Sequence, residues 1–268
     1  MKKNILLLTT LFLFSVAIQS QVLITLLLGD KLNSEKLEFG LESGVNFETI
    51  NGMESTDRKA FFNIGFYFDF TLKNPHWSAY TGVLVKANQG LGNLTDNDLD
   101  FLGVDKQLEN SVEIAGEYNQ VINTFVVPVL MKYHFKNYIY LEGGMQFGLR
   151  YKSYVEFNSD NKDVEERVRY INRDAVQKID AGFLGGLGYQ FKKGKGWTVG
   201  AKYYYGLVDV YKDRSGTNSN SFFIKVNVPI GVKKSKEKAA KEQAKKDKEA
   251  LEDKNAELQK RIEELEKQ

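Results

Sequence analysis

The chain has 268 residues, with 37 Lys and Arg against 35 Asp and Glu, and no cysteine. A net charge of +2 is too small an electrostatic footprint for nucleic acid. Without cysteine, neither disulfides nor thiolate metal sites can hold the fold, so stability must come from burial and backbone pairing.

The chain opens Met1-Lys2-Lys3-Asn4, continues apolar over residues 5–18, and reaches Gln19-Ser20-Gln21. A short basic region, an apolar core and a small residue make the pattern of a secretory signal peptide over 1–20, with cleavage expected after Ser20. The competing reading is a membrane anchor continuing through the apolar residues 22–28, which would give about 25 residues, enough to span. Gln19, Ser20 and Gln21 interrupt that stretch and favour the signal peptide. Residues 21–35 are then a periplasmic lead-in, in which 22–28 is either a linker or the stub of an extra strand.

From residue 36 to 233 apolar and polar residues alternate in eight runs, at 37–50, 59–72, 77–88, 119–135, 138–157, 176–191, 197–211 and 221–232. Period-two alternation predicts β-strands with two unlike faces. In the second run Phe62, Ile64, Phe66, Phe68 and Phe70 take one face, and Asn63, Gly65, Tyr67, Asp69 and Thr71 take the other. Connections alternate in length: 73–76, 136–137 and 192–196 are short, whereas 51–58, 89–118, 158–175 and 212–220 are longer. Outer-membrane barrels keep short turns in the periplasm and long loops outside, which predicts that both termini are periplasmic. Trp77 and Trp197 each follow a short turn on the apolar parity, the place of an aromatic girdle. Pro128 and Pro229 fall inside strands, where a missing N–H costs a ladder bond, so bulges are expected there.

Residues 234–268 contain no Gly, Pro, Phe, Tyr or Trp. Ala244, Leu251, Leu258 and Leu265 recur every seven residues, each preceded by three positions by Lys241, Lys248, Asn255 or Ile262. Glu257 with Arg261 and Glu263 with Lys267 are i, i+4 pairs. The segment predicts a charged periplasmic helix with a seam of Ala244, Leu251, Leu258, Ile262 and Leu265. Such a helix is either a solvated single helix or a coiled coil that binds a periplasmic protein or a second copy. Asn255 at an a position favours a parallel dimer in the latter case.

A soluble eight-stranded ligand carrier also alternates. Its lumen would have to hold nearly all the Phe and Tyr, and an eight-strand lumen is just filled by ordinary side chains. Here the second face holds Glu38, Glu42, Asp69, Lys86, Lys132, Glu142, Arg150, Lys178, Asp180, Lys202 and Lys225. A membrane barrel with the aromatic face toward lipid resolves the conflict. The fold class expected is all-β: an eight-stranded antiparallel transmembrane up-and-down β-barrel with a C-terminal charged α-helix.

Five stretches carry a family likeness: residues 26–33 (LLLGDKLN), 127–133 (VPVLMKY), 140–144 (YLEGG), 185–189 (GGLGY) and 203–207 (YYYGL). As a set they resemble the PorT-like outer-membrane β-barrel proteins of Bacteroidetes-type bacteria, often labelled porin family. The resemblance covers about residues 22–232. It implies an eight-stranded outer-membrane barrel, makes Pro128 a family habit, and implies little about activity. The C-terminal helix departs from the pattern, in which the chain ends on its last strand.

The inward face is the place to look for chemistry. Its acids and bases are nearly balanced, and buried charges must be paired. An ion-pair plug is expected from Glu42, Asp69, Lys86, Glu142, Arg150, Lys178, Asp180, Lys202 and Lys225. A wide aqueous channel needs about 16 strands, so a conducting pore would be narrow. Some eight-strand barrels modify outer-leaflet lipid with a His and a Ser, but His76 and His134 both lie at the periplasmic end, and neither has a Ser and carboxylate spaced as a triad. No Cys/His cluster suggests a metal, and the glycines at 182–188 lie in a strand and open no helix. Asp96, Asp98, Asp100 and Asp105 resemble the start of a calcium loop, but Phe101 and Gln107 occupy the positions that need Gly and Glu. No catalytic residue, metal or cofactor is expected. The function expected is a non-enzymatic structural or interaction barrel in contact with outer-membrane lipid. A narrow passage for small solutes is the alternative, and a lipid-modifying enzyme comes after it.

Overall fold

The computed structural model describes residues 33–34, 36–109, 112–159, 167–194 and 196–230. The expected signal peptide, residues 22–28 and the whole helix with its seam at Ala244, Leu251, Leu258, Ile262 and Leu265 lie outside the described residues. The chain divides into two compact units, Gly40–Pro229 and a second one formed by Met1–Phe39 with Ile230–Gln268. In the second unit the Asn33 side chain donates to the Ile230 carbonyl at 2.5 Å and accepts from the Phe39 N–H at 2.8 Å.

The strands are β1 (Leu37–Ile50), β2 (Lys59–Thr71), β3 (Trp77–Ala87), β4 (Gln89–Leu91), β5 (Leu108–Glu109), β6 (Val112–Glu113), β7 (Gly116–His134), β8 (Ile139–Ser159), β9 (Arg167–Ile171), β10 (Ile179–Gln190), β11 (Thr198–Asp209) and β12 (Asn218–Pro229). Helix α1 (Asp96–Leu102) follows β4, and a helical turn α2 (Phe191–Gly194) follows β10. Eight of the strands close a ring in the order β1-β2-β3-β7-β8-β10-β11-β12, sealed by antiparallel pairing of β1 with β12 from Gly40↔Pro229 to Ile50↔Ser219. The eight alternating runs correspond to these eight strands. Closure leaves no unpaired edge within the ring, so the backbone groups are satisfied without water.

The alternation works as a partition. Val129, Leu149, Phe183, Trp197, Tyr205 and Ile224 face outward and exposed, while Glu42, Tyr80, Arg150, Asp180, Lys202 and Lys225 face inward and are buried. On β8 the outward residues run from Ile139 to Leu149, and on β10 from Tyr189 to Ile179. Ten strand steps of about 3.4 Å, tilted about 40°, give about 26 Å, against about 25 Å for the apolar band of an outer-membrane barrel.

Pro128 needs no bulge. It stays in register with Gln146 on β8, and the β3–β7 ladder instead skips from Thr81↔Val129 to Leu84↔Val126 without a register shift. Pro229 is the last residue of β12. True register shifts occur between Ile64 and Gly65 on the β2–β3 seam and between Asn123 and Thr124 on the β7–β8 seam.

The connections read as open loops at 89–118 and 158–175 are largely built structure. β4 pairs with β7 and β9 with β8, so both extend the sheet past the ring. Between β4 and β7, α1 begins at Thr95, whose hydroxyl accepts from the Asp98 N–H while the Asp98 carboxylate accepts from the Thr95 N–H, a capping box. Gly103 ends it in the left-handed conformation, φ 65°.

Candidate functional site: the lumen and the outer wall

Three layers fill the barrel. The first lies toward the short turns and gathers six charges from six strands. Lys202 Nζ lies 2.6 Å from Glu42 Oε1, Lys225 Nζ 2.6 Å from Glu142 Oε1, and Lys132 Nζ 3.0 Å from Asp69 Oδ2. Two longer contacts of 3.9 Å, Lys225 to Glu42 and Lys132 to Glu142, join the pairs into one network. Three carboxylates meet three ammonium groups, so the layer is neutral. Tyr80 donates its hydroxyl to Glu42 and accepts from Asn227 Nδ2 at 2.8 Å. Lys132 sits over the Tyr80 ring at 3.7 Å, and Tyr67 stacks on the same ring with centroids 5.5 Å apart. These rings need room, and glycines supply it. A Cβ at Gly40 would fall 2.5 Å from the Tyr67 ring, and for the neighbouring lumen tyrosines one at Gly200 would fall 2.7 Å from the Tyr140 hydroxyl and one at Gly182 2.7 Å from the Tyr204 ring.

The second layer centres on Asp180. Its carboxylate accepts from Arg150 Nη2 at 2.7 Å, Gln89 Nε2 at 2.6 Å and the Tyr204 hydroxyl at 2.8 Å. Arg150 also donates through Nε to Gln89 Oε1 at 2.8 Å. Glu48 is buried nearby on β1 with neutral partners: it accepts from Asn46 Nδ2 at 2.8 Å and from the Ser219 hydroxyl at 3.2 Å. Among the described residues no cation pairs with it.

The third layer is apolar and closes the long-loop end. Leu91, Leu94, Leu99 and Val104 pack with Ile50, Tyr118, Ile122, Val155, Phe157, Val176, Val210 and Tyr211. Asp98 pins this cap. Fully buried, it accepts from the N–H groups of Glu54 and Ser55, each at 2.9 Å, as well as from Thr95 at 3.2 Å. The acidic stretch 96–100 is therefore a helix start rather than a cation loop. Asp98→Ala should strand three backbone donors and weaken the cap by about 1–3 kcal/mol. Limited proteolysis should then cut within 92–109 faster, while the heat-modifiable migration of the barrel stays as in the parent protein.

Of the nine positions expected in the lumen, Glu42, Asp69, Glu142, Arg150, Asp180, Lys202 and Lys225 are brought together there. Lys86 and Lys178 are not; both are exposed. The shift at Ile64/Gly65 opposes Ile64 to Lys86 and Gly65 to Leu84, so Val85 is an extra residue and everything beyond it changes face. Lys178 sits in a bend just before β10 begins, outside the alternation. The network also uses Lys132, Tyr80, Gln89, Glu48 and Tyr204. Lys132 and Glu48 share the inward parity and were visible by it; the tyrosines and Gln89 have no sequence signal apart from that parity.

Trp77 and Trp197 both face outward at the short-turn end. Trp77 meets Tyr133 with ring centroids 4.9 Å apart, and Trp197 meets Phe191 at 6.1 Å. At the same end a serine lies beside His134. Its Nε2 is 3.0 Å from the Ser78 hydroxyl, and His76 Nδ1 is 2.8 Å from the His134 carbonyl. Ser78 is buried, and among the described residues no carboxylate is hydrogen-bonded to the other ring nitrogen of His134. The carboxylate beside the pair is Asp69, which meets Ser78 rather than the far side of the imidazole, so the order is not that of a triad.

The model of a family described as the outer membrane protein beta-barrel domain matches residues 19–212. The chain belongs to this family. The outer-membrane barrel is similar in structure to Ail, the attachment invasion locus protein of Yersinia pestis, in a complex with the heparin analogue sucrose octasulfate, at 11% identity and a TM-score of 0.42 over 73% of this chain and 99% of that one. Neisserial surface protein A is similar at 8% identity and a TM-score of 0.38 over 72% and 96% of the two chains. OprG from Pseudomonas aeruginosa is similar at 11% identity and a TM-score of 0.27 over 73% and 95%. No curated protein matches the chain. The outward apolar belt and the family assignment agree on an outer-membrane barrel.

Proposed function

We propose that this outer-membrane barrel is a non-enzymatic structural or interaction protein with a closed lumen, its long-loop end facing outward and both termini in the periplasm. The observation that carries the reading is the stack of a neutral ion-pair network, the Asp180 cluster and an apolar cap within the ring. Desolvated charges held in pairs suit a plug that fixes strand register better than a path for solutes. The motifs at 127–133 and 203–207 support a PorT-like relationship within the family. Residues 234–268, read as a charged periplasmic helix, then offer a contact to a periplasmic protein or a second copy.

The refolded protein should show near-zero conductance in planar bilayers. Because the apolar cap is a second barrier, Arg150→Ala combined with Lys202→Ala should also stay closed. Stepwise currents from the parent protein would overturn the closed lumen and favour the alternative of a narrow passage for small solutes. Surface protease on intact cells should cut only in the long connections; cleavage in the short turns would reverse the orientation.

A further inference from the structure

The two lysines that left the lumen fall on one line around the barrel wall. Lys86 on β3 lies between the rungs Leu84↔Val126 and Gln89↔Ile122, and so faces the Asn123–Phe125 stretch of β7. Asn123 pairs with Lys152 on β8, and the neighbouring Arg150 N–H donates to the Lys178 carbonyl at 2.8 Å. Lys86, Lys152 and Lys178 thus form a row across four adjacent ring strands, β3, β7, β8 and β10. All three side chains are exposed.

The height of the row is informative. Immediately toward the short turns lie the exposed apolar residues Val83, Phe125, Leu149 and Ile179. The row therefore caps the apolar belt on the long-loop side. The extra residue Val85 turns Lys86 outward, and Lys178 is exposed in the bend before β10. Beside Lys86 and Lys152 the outward neighbours Ile64, Asn123 and Tyr151 carry no charge, while across from Lys178 on β11 lies Asp209, whose carboxylate accepts from the Thr217 N–H at 2.9 Å. Among the described residues no carboxylate pairs with any of the three lysines. Exposed ammonium groups at the edge of a hydrocarbon-facing belt match one kind of partner, a lipid whose headgroup presents phosphate at that depth.

We infer that Lys86, Lys152 and Lys178 form a binding row for the headgroup phosphates of a phosphorylated outer-leaflet glycolipid. The assignment to that leaflet rests on the orientation proposed above, with the long connections outside. The row itself does not, and the two can fail separately.

The test uses the full-length mature protein refolded in neutral detergent, with diphosphoryl lipid A and chemically dephosphorylated lipid A as probes, read by native mass spectrometry of the retained lipid. The parent protein should retain the diphosphoryl form and the triple variant Lys86→Gln, Lys152→Gln, Lys178→Gln should bind it about a hundredfold more weakly. Dephosphorylated lipid A should bind weakly to both. Heat-modifiable migration must be unchanged in the triple variant; should it fail to fold, Lys152→Gln alone is read for a severalfold loss. Equal affinity of parent and variant would overturn the row, as would equal binding of the two lipids by the parent. Binding of phosphatidylglycerol as tight as diphosphoryl lipid A would overturn the glycolipid assignment. Affinity as expected, with surface protease cutting the short turns, would leave the row standing and place it in the inner leaflet.

Discussion

Replacing Glu142 with Leu should lower the unfolding free energy of the refolded barrel by about 3–5 kcal/mol. Glu142 is the junction of the first lumen layer, in contact with Lys225 at 2.6 Å and with Lys132 at 3.9 Å. Its removal leaves three ammonium groups facing two carboxylates at depths where Lys202 and Lys225 have no access to solvent. The larger part of the loss is the stranded cation rather than the missing attraction, and a second substitution separates the two. Adding Lys225→Met restores the balance of charge with side chains of similar volume, so the double variant should recover most of the stability. The measurement is a denaturant titration of the protein in lipid vesicles, with heat-modifiable migration as the readout of the folded barrel. Simple additivity of the two losses would show that the charges act independently and would remove the argument for a network.

The second large effect is expected on the opposite face. Val129 lies near the middle of the outward apolar residues that run from Phe125 to Phe135, and is half exposed. Val129→Arg in vesicles should cost about 2–4 kcal/mol, the figure for a cation near the midplane on the lipid face of a barrel. Asn123→Arg, three outward positions further along the same strand and level with Lys152, should cost only about 0–1 kcal/mol. A soluble barrel would show no such depth dependence, because surface substitutions facing water usually stay within about 0.5 kcal/mol. A flat profile across the two positions would therefore remove the membrane from the account.

The ring was legible in the sequence because a strand has a period of two and one face of each run is almost purely apolar. Seven lumen charges followed from parity alone. Parity stops being a guide at bulges and strand ends. One extra residue at Val85 inverted the side on which Lys86 emerges, and nothing in Leu84-Val85-Lys86-Ala87 announces a bulge. For Lys178 the alternation predicts an inward side chain, but the strand begins only at Ile179. The cap has a local signal of a different kind. Thr95-x-x-Asp98 followed by Leu99, Phe101 and Leu102 is the signature of a helix start, but the alternating acids Asp96, Asp98 and Asp100 also mimic a cation loop and mask it. The partners of Asp180 come from β4, β8 and β11, and such convergence depends on the stagger of the ring rather than on any local signal.

The seam between β1 and β12 has a consequence for how the molecule comes into being. Glu42 and Lys202 are separated by 160 positions along the chain, and Glu42 belongs to the strand that meets its neighbour last. Every other seam joins strands adjacent in ring and chain order, so these can form as a growing ribbon. Until the ribbon curls shut, Glu42 has no ammonium group beside it and the first and last strands each carry a bare edge. Neither can be tolerated in hydrocarbon. Neutralisation and closure are thus one event, and a partly inserted ribbon has no stable resting point. Assembly should be all-or-none, with a rate set by the long loop that closure demands rather than by any single hairpin.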